Sequence, residues 1–399
     1  MTRLVPILGM LAILAAATLL SKNRKIIPWR TVGIGLALQF LVALFVLRTG
    51  FGYSLMTKIS GAFVSILNCS FAGSEFVFGD LGKHQSSLGF IFAFQALPMI
   101  IFVATVMSIL YYLRVIPILV LLTGKAMAKL LGTSGAESLE VAASILMGQT
   151  EAPLVIRPYL AELTESELMT IMTAGMAHIA GSVFGAYVLF GAEARHLLTA
   201  VVMTAPGTIV LSKMLNPETG KPKTAGHVEL SEEGKPINIL DAASRGVMDG
   251  LHLALNVAAM LVAFVALVYL VNLGLGTIHT TLQALLGYPL APIAWLLGVP
   301  WKDAATVGNL LGTKVVVNEF VAFSMLGPLK GHIAERSFTI ATFALCGFAN
   351  FASIGIQIGG IGALAPSRRQ DLARLGFRAL VAGTLANYLA AAIAGLLLT

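Results

Sequence analysis

Seven polar side chains stand in otherwise apolar surroundings: Gln149, Thr150 and Glu151 in GQTEAPLVIRPY, Asn318 and Glu319 in TKVVVNEFVAF, and Asn350 and Ser353 in GFANFASIGIQIGG. Carboxylates accept hydrogen bonds, and amides and hydroxyls both donate and accept, so Glu and Gln suit the edge of a heterocycle and Glu, Asn and Ser suit sugar hydroxyls. Val183, Phe348 and Phe351 are apolar neighbours able to cover a ring face. The plainer alternative is that the polar groups satisfy one another and cap broken helix ends. Asn318, just before Glu319, fits a cap as well as a ligand.

These residues lie in a chain of 399 residues that is 57% hydrophobic and 11% charged, with a mean hydropathy of +0.88. Soluble domains carry roughly 25% charged residues. The composition therefore describes an all-α polytopic membrane protein embedded in a lipid bilayer, each span needing about 20 apolar residues. Forty glycines and 15 prolines suit close helix packing and interrupted helices in lipid. The net charge of +7 comes from basic clusters between apolar runs, without interleaved aromatics, and gives no sign of nucleic-acid binding. Cys69 and Cys346 sit in apolar runs and read as packing residues.

Eight spans are expected: 4–20, 31–47, 88–113, 169–191, 197–215, 251–275, 338–364 and 379–398. Lys22, Arg24, Lys25 and Arg30 follow the first of them, which favours an uncleaved helix with its N-terminus outside over a signal peptide. The alternation then puts four basic clusters in the cytoplasm, at Lys22–Arg30, around Arg114, at Lys213–Arg245 and at Arg368–Arg378, and the C-terminus outside. Residues 217–246 read as a mobile cytoplasmic loop, and 50–87 as a segment with an interfacial helix.

Residues 115–161 and 289–329 are each too long for one span and too short for two, and each carries polar residues that lipid would not tolerate. They read as two re-entrant helical hairpins, because non-helical backbone at membrane depth must be covered by protein or line a wet cavity. Each hairpin is followed by a span with aligned cores, Ala177–Gly181 and Ala349–Ser353, and then by another span. The two halves form an inverted repeat, a common transporter plan with the site at the midplane. The organisation expected is 1–114 scaffold helices and interfacial segment, 115–216 first transport repeat, 217–288 loop, scaffold span and interfacial helix, and 289–399 second transport repeat.

A charge at the bilayer centre costs about 2.5–3.5 kcal/mol, so Glu151 and Glu319 are assigned to a site. His178, mid-span, reads either as a core histidine bonded to a backbone carbonyl or as a titrating or cation-site residue. Arg157 reads as a hairpin-end anchor. Glu137 and Glu140 read as interfacial or paired with a lysine, and Trp295 and Trp301 as interface anchors or packing.

The three motifs GQTEAPLVIRPYL, NEFVAF and GFANFASIGIQIGG, in this order and spacing, closely resemble the signature regions of concentrative nucleoside transporters. The resemblance covers nearly the whole chain. It implies a homotrimer of protomers with eight transmembrane helices, two re-entrant hairpins and interfacial helices, in a cytoplasmic membrane, moving nucleosides by an elevator-like step driven by a cation gradient. It assigns Gln149, Thr150 and Glu151 to the base, Glu319, Asn350 and Ser353 to the ribose, and Val183 and Phe348 to the apolar lining. The sodium positions of the family fall on Ser144, Met147, His178 and Ile179. Sodium-coupled members carry Asn where Ser144 stands and a hydroxyl residue where His178 stands. Imidazole is a poor ligand for a hard cation, so proton coupling is expected, with sodium as the alternative. No cofactor beyond the coupling ion (H+ or Na+) is expected. A channel would show repeated polar rings. A membrane enzyme would show an Asp-rich, HExxH or Ser/His/Asp arrangement, and neither pattern is present.

Overall fold

The computed structural model describes residues 4–84, 86, 89–224 and 236–398. Among these, every regular element is helical. Part of the polar loop expected at 217–246, residues 225–235, lies outside the described residues, as do Ser87 and Leu88 at two of the expected boundaries.

The helices run in order α1 (Val5–Leu19), α2 (Trp29–Arg48), α3 (Gly50–Phe78), α4 (Phe92–Tyr112), α5 (Val115–Leu131), α6 (Gly135–Ser144), α7 (Glu165–Ala177) and α8 (Gly181–Leu189). They continue with α9 (Ala194–Leu215), α10 (Ile239–Gly276), α11 (Leu282–Leu296), α12 (Trp301–Val316), α13 (Glu319–Leu326), α14 (Glu335–Leu345), α15 (Phe351–Leu364) and α16 (Arg369–Leu397). A 3-10 segment, Ala152–Glu162, follows α6 and is kinked at Ile156 (φ −116°, ψ 17°), between Pro153 and Pro158.

Among the described residues, seven helices are long and apolar enough to cross a membrane, or eight if the α11–α12 pair, bent by 116°, counts as one span. Membership differs from the sequence expectation. The segment expected to hold an interfacial helix is the 29-residue α3, itself apolar enough to cross. Its scattered polar residues, such as Lys58 and Asn68, hide that in the sequence. The expected span 338–364 is two short helices, α14 and α15, separated by 346–350. The expected span 169–191 is interrupted between α7 and α8 yet is still counted among the seven, as Glu165–Leu189. The expected first span, 4–20, is the 15-residue α1, too short to be counted. The first hairpin is shorter than expected: α5 is a separate helix packed on α6, and the hairpin consists of α6 and the 3-10 arm.

Helix starts follow their caps. Ser134 with Glu137 opens α6, and Thr164 with Glu167 opens α7, each as a reciprocal capping box. Asn318 and Asn350 open α13 and α15 through their side-chain oxygens. The core lies in the two repeats, where α7, α9, α14 and α16 are buried almost all round. By contrast, α10 packs along α4 and leaves a long apolar face exposed, as a bilayer-facing helix does.

One buried ion pair ties the entry of the first repeat together. The Lys213 ammonium lies 2.7 Å from Glu137 and 3.7 Å from Glu218, and donates to the Ser166 hydroxyl at 2.9 Å. Glu137 is thus paired with a lysine, while Glu140, expected to be interfacial or paired, is fully buried and bonded to Ser144. Removing one member of a buried pair strands the other and costs about 3–5 kcal/mol. Lys213→Met is therefore expected to lower the thermal unfolding temperature of the detergent-solubilised protein by many degrees, and the double change Lys213→Met, Glu137→Leu to recover most of it.

Candidate binding site

The site is built where two helices stop short. After Ala177 the chain passes through His178 in an extended conformation (φ −109°, ψ 164°) and resumes as α8. After Leu345 it passes through Cys346 and resumes as α15 behind Asn350 (φ −144°, ψ 165°). The two breaks bond to each other: the Phe348 N–H donates to the His178 carbonyl at 3.2 Å. The tip of the first hairpin leans on the first break, with the Gly181 N–H donating to the Leu146 carbonyl at 3.1 Å.

Against these breaks stand the polar side chains singled out in the sequence. Glu319, at the first position of α13, accepts from the Tyr187 hydroxyl and from Asn350 Nδ2, both at 3.1 Å. Asn350 does two jobs, because its Oδ1 also accepts from the Ser353 N–H at 2.9 Å. Gln149 donates to the Ser353 hydroxyl at 3.2 Å and accepts from Gln357 at 3.3 Å. Glu151 accepts the Gly148 N–H at 3.2 Å. Asn318 accepts from the Val321 N–H at 2.8 Å and so caps α13, and it also stands in the lining of the cavity described next. The mutual-satisfaction alternative is therefore partly realised.

These groups also share one cavity of about 310 Å³. All eight residues assigned to substrate line it: Gln149, Thr150, Glu151, Val183, Glu319, Phe348, Asn350 and Ser353. A cleft of this size with an apolar lining and few convergent polar groups is the usual form of a small-molecule site. Phe351 is not in the lining and is 50% exposed, because α15 turns it outward. The facing wall was missed in the sequence. It comes from α10, through Leu253, Asn256, Val257, Met260 and Leu261. Asn256, a lone amide in the run HLALNVAAML, was the available signal. Phe320, Tyr187 and Gln357 were missed as well. Phe320 stacks edge-on to Tyr187 with ring centroids 5.4 Å apart.

A second cavity, of about 400 Å³, adjoins the first at Glu151 and is lined by Met147, Arg157, Arg245 and Asp249 among others. Arg157, expected at a hairpin end, thus faces this cavity. The positions assigned to the cation fall outside the first cavity but close to the hairpin tip. Ser144 ends α6 and donates to Glu140 at 3.0 Å, and Ile179 is buried in the first break. His178 is buried, and its Nδ1 meets the Ala174 carbonyl at 2.9 Å. Its buried Nε2 has no partner among the described residues. Trp295 and Trp301 pack edge to face with centroids 6.3 Å apart, away from the cavity.

Residues 8–81 match the family model of the Na+ dependent nucleoside transporter N-terminus, 93–194 that of nucleoside recognition, and 196–395 that of the Na+ dependent nucleoside transporter C-terminus. The chain belongs to the concentrative nucleoside transporter family. Nucleoside transporters are not enzymes, so the enzyme reading falls. Among similar family members, the uncharacterized transporter YutK of Bacillus subtilis is 45% identical over 398 residues, covering 98% of both chains. The nucleoside permease NupC of Helicobacter pylori is 37% identical, covering 98% of this chain and 96% of its own. The structure of CNTnw in an inward-facing substrate-bound state superposes with a TM-score of 0.95 at 42% identity, covering 100% of this chain and 98% of that one. That of a doubly substituted CNTnw in an outward-facing state does so at 0.96 and 41%, covering 100% and 99%. Overall likeness thus does not select one state.

Close approach at this family site depends on Gly175. A Cβ there would lie 2.6 Å from Gln357 Nε2 and 2.9 Å from Gln149 Cβ. Overpacking of this kind costs about 1–3 kcal/mol. Gly175→Ala is expected to displace Gln149 and weaken nucleoside affinity about tenfold, the equivalent of about 1.4 kcal/mol. Titration calorimetry on the purified protein checks it.

Proposed function

We propose that this protein is a secondary active symporter that imports nucleosides across the cytoplasmic membrane, driven by a proton gradient, with elevator-type alternating access. The observation that carries the reading is the single cavity in which both hairpin tips and both broken spans converge, closed on its far side by α10. Gln149, Thr150 and Glu151 on one side would take the base. Glu319, Asn350 and Ser353 on the other would take the ribose, exchanging their present mutual hydrogen bonds for those of the ligand at little net cost. Val183, Phe348 and the α10 side chains would cover the apolar faces. α4 and α10 would form the fixed wall and the two repeats the moving body, in keeping with the inward- and outward-facing states of the similar CNTnw. The remaining parts of the proposal are the homotrimer, N- and C-termini outside, and no cofactor beyond the coupling ion.

Proton coupling rests on the residue types at the ion positions. His178 stands where sodium-coupled members carry a hydroxyl residue, and its buried Nε2 offers a proton acceptor without a partner among the described residues. Sodium is the second reading. It is favoured by the oxygens gathered at the end of α6, where the Ser144 hydroxyl meets Glu140 and one Glu140 oxygen has no hydrogen-bond partner among the described residues.

Uptake of radiolabelled uridine into proteoliposomes, under a pH gradient alone and a sodium gradient alone, separates the two in wild type and His178→Ser. The expected result is uptake under the pH gradient only, lost or shifted towards sodium dependence in the variant. Sodium-driven uptake in wild type would leave His178 structural. Uptake under neither gradient would overturn the uridine symport reading.

A further inference from the structure

The cavity of about 400 Å³ that adjoins the binding site shares only Glu151 with it. The rest of its polar wall is its own. Asp249, on α10, is exposed to it and has neither a hydrogen bond nor an ion pair among the described residues. Arg157 and Arg245 stand in the same wall, Arg245 anchored to Asp241 at 2.8 Å. Ser182, at the start of α8, brings a buried hydroxyl without a hydrogen-bond partner among the described residues. Tyr111, at the end of α4, adds an aromatic ring.

The charges in this wall balance. A phosphate would meet Glu151 and Asp249, and an ammonium would meet the two arginines, so neither a strongly anionic nor a cationic ligand is favoured. A neutral ligand rich in donors and acceptors suits the wall better. Sugar hydroxyls donate to a carboxylate, base carbonyls accept from a guanidinium, and the plane of a base lies on a phenol ring. The place in the fold supplies the route. Arg245 and Asp249 are followed on α10 by Leu253, Asn256 and Met260 of the first cavity, and the spacing of three and four keeps all five on one face. Asp249 and Asn256 are about 10 Å apart along the axis. In the orientation proposed above, the end of α4 and the start of α10 lie towards the cytoplasm.

We propose that this second cavity is a release station, a further nucleoside-binding site between the first cavity and the cytoplasm, with the ribose hydroxyls on Asp249 and the base against Tyr111. The proposal rests on the nucleoside reading of the first cavity. Glu151, common to both, keeps a hydrogen-bond partner on the nucleoside during the step, so the ligand is never stripped of all its partners. Both bodies build the station. Tyr111, Arg245 and Asp249 belong to the fixed wall of α4 and α10, and Glu151, Arg157 and Ser182 to the moving repeats. It comes apart when the repeats travel to the other side, and so holds nucleoside only at the cytoplasmic end.

Equilibrium dialysis of radiolabelled uridine against the purified protein tests this. Wild type is expected to bind one uridine tightly and a second more weakly in each protomer. Asp249→Ala and Tyr111→Ala should each weaken the second by about tenfold or more, leave the first in place, and lower the maximal rate of uptake into proteoliposomes. Asn256→Ala should do the reverse and weaken the first. A single uridine per protomer at saturation, a second component untouched by both substitutions, or a wild-type maximal rate in a variant that has lost it would overturn the proposal. So would displacement of the second component by uridine 5′-monophosphate more readily than by uridine, since that marks a seat for an anion. The wild-type count and this competition decide should the variants fail to fold, as size exclusion would show. No uridine bound at all would instead overturn the nucleoside reading of the first cavity.

Discussion

A helix broken inside an apolar body leaves backbone N–H and C=O groups that must find partners, because no bulk water is there to take them. This chain breaks two spans, at 178–180 and 346–350, and places two hairpin tips against the breaks. Much of the polar chemistry answers that one constraint. The N–H ends of α13 and α15 are closed by Asn318 and Asn350, whose neighbours Glu319 and Ser353 face the cavity. The C=O ends of α7 and α14 are closed by Asn387 and Lys314. One set of ends makes a site for a polar ligand and the other makes a seat for positive charge, as the helix dipole favours.

The same constraint explains why capping residues and ligands coincide. Asn350 caps α15 and holds Glu319. Tyr187, from the helix after the first break, holds the other oxygen of the same carboxylate. A ligand that replaces these bonds finds donors and acceptors already fixed by the backbone, so little ordering remains to be done on binding. The Phe348-to-His178 bond makes the two breaks one unit, and hence the two repeats one body.

Much of this was legible in the sequence, for a physical reason. A glutamate in an apolar run needs a purpose, and Glu151 and Glu319 therefore drew attention to both hairpin tips and to their neighbours. The breaks themselves were less visible. The runs around His178 and Phe348 stay apolar throughout, and only glycines and one asparagine mark the interruption. The α10 wall was invisible because Leu253, Val257 and Met260 are the same types that face lipid elsewhere on that helix. Asn256 alone could have betrayed it. Lys314 stood in a motif that was read for Asn318 and Glu319, and was passed over although a membrane-buried lysine is itself a functional signal. Phe351 was placed in the site by its sequence neighbours, yet it points outward because Asn350 starts a new helix at that residue.

The central claim is that the cavity between the breaks and α10 is where the nucleoside sits. The most direct test places a single reactive thiol on the wall that no hairpin supplies. In a Cys69→Ser background, with Cys346 buried and left in place, Asn256→Cys would be labelled by a methanethiosulfonate reagent with and without uridine. Labelling is expected to stop uptake, and uridine to slow labelling in proportion to its occupancy. Labelling at the same rate with saturating uridine, and uptake unaffected by the label, would contradict it.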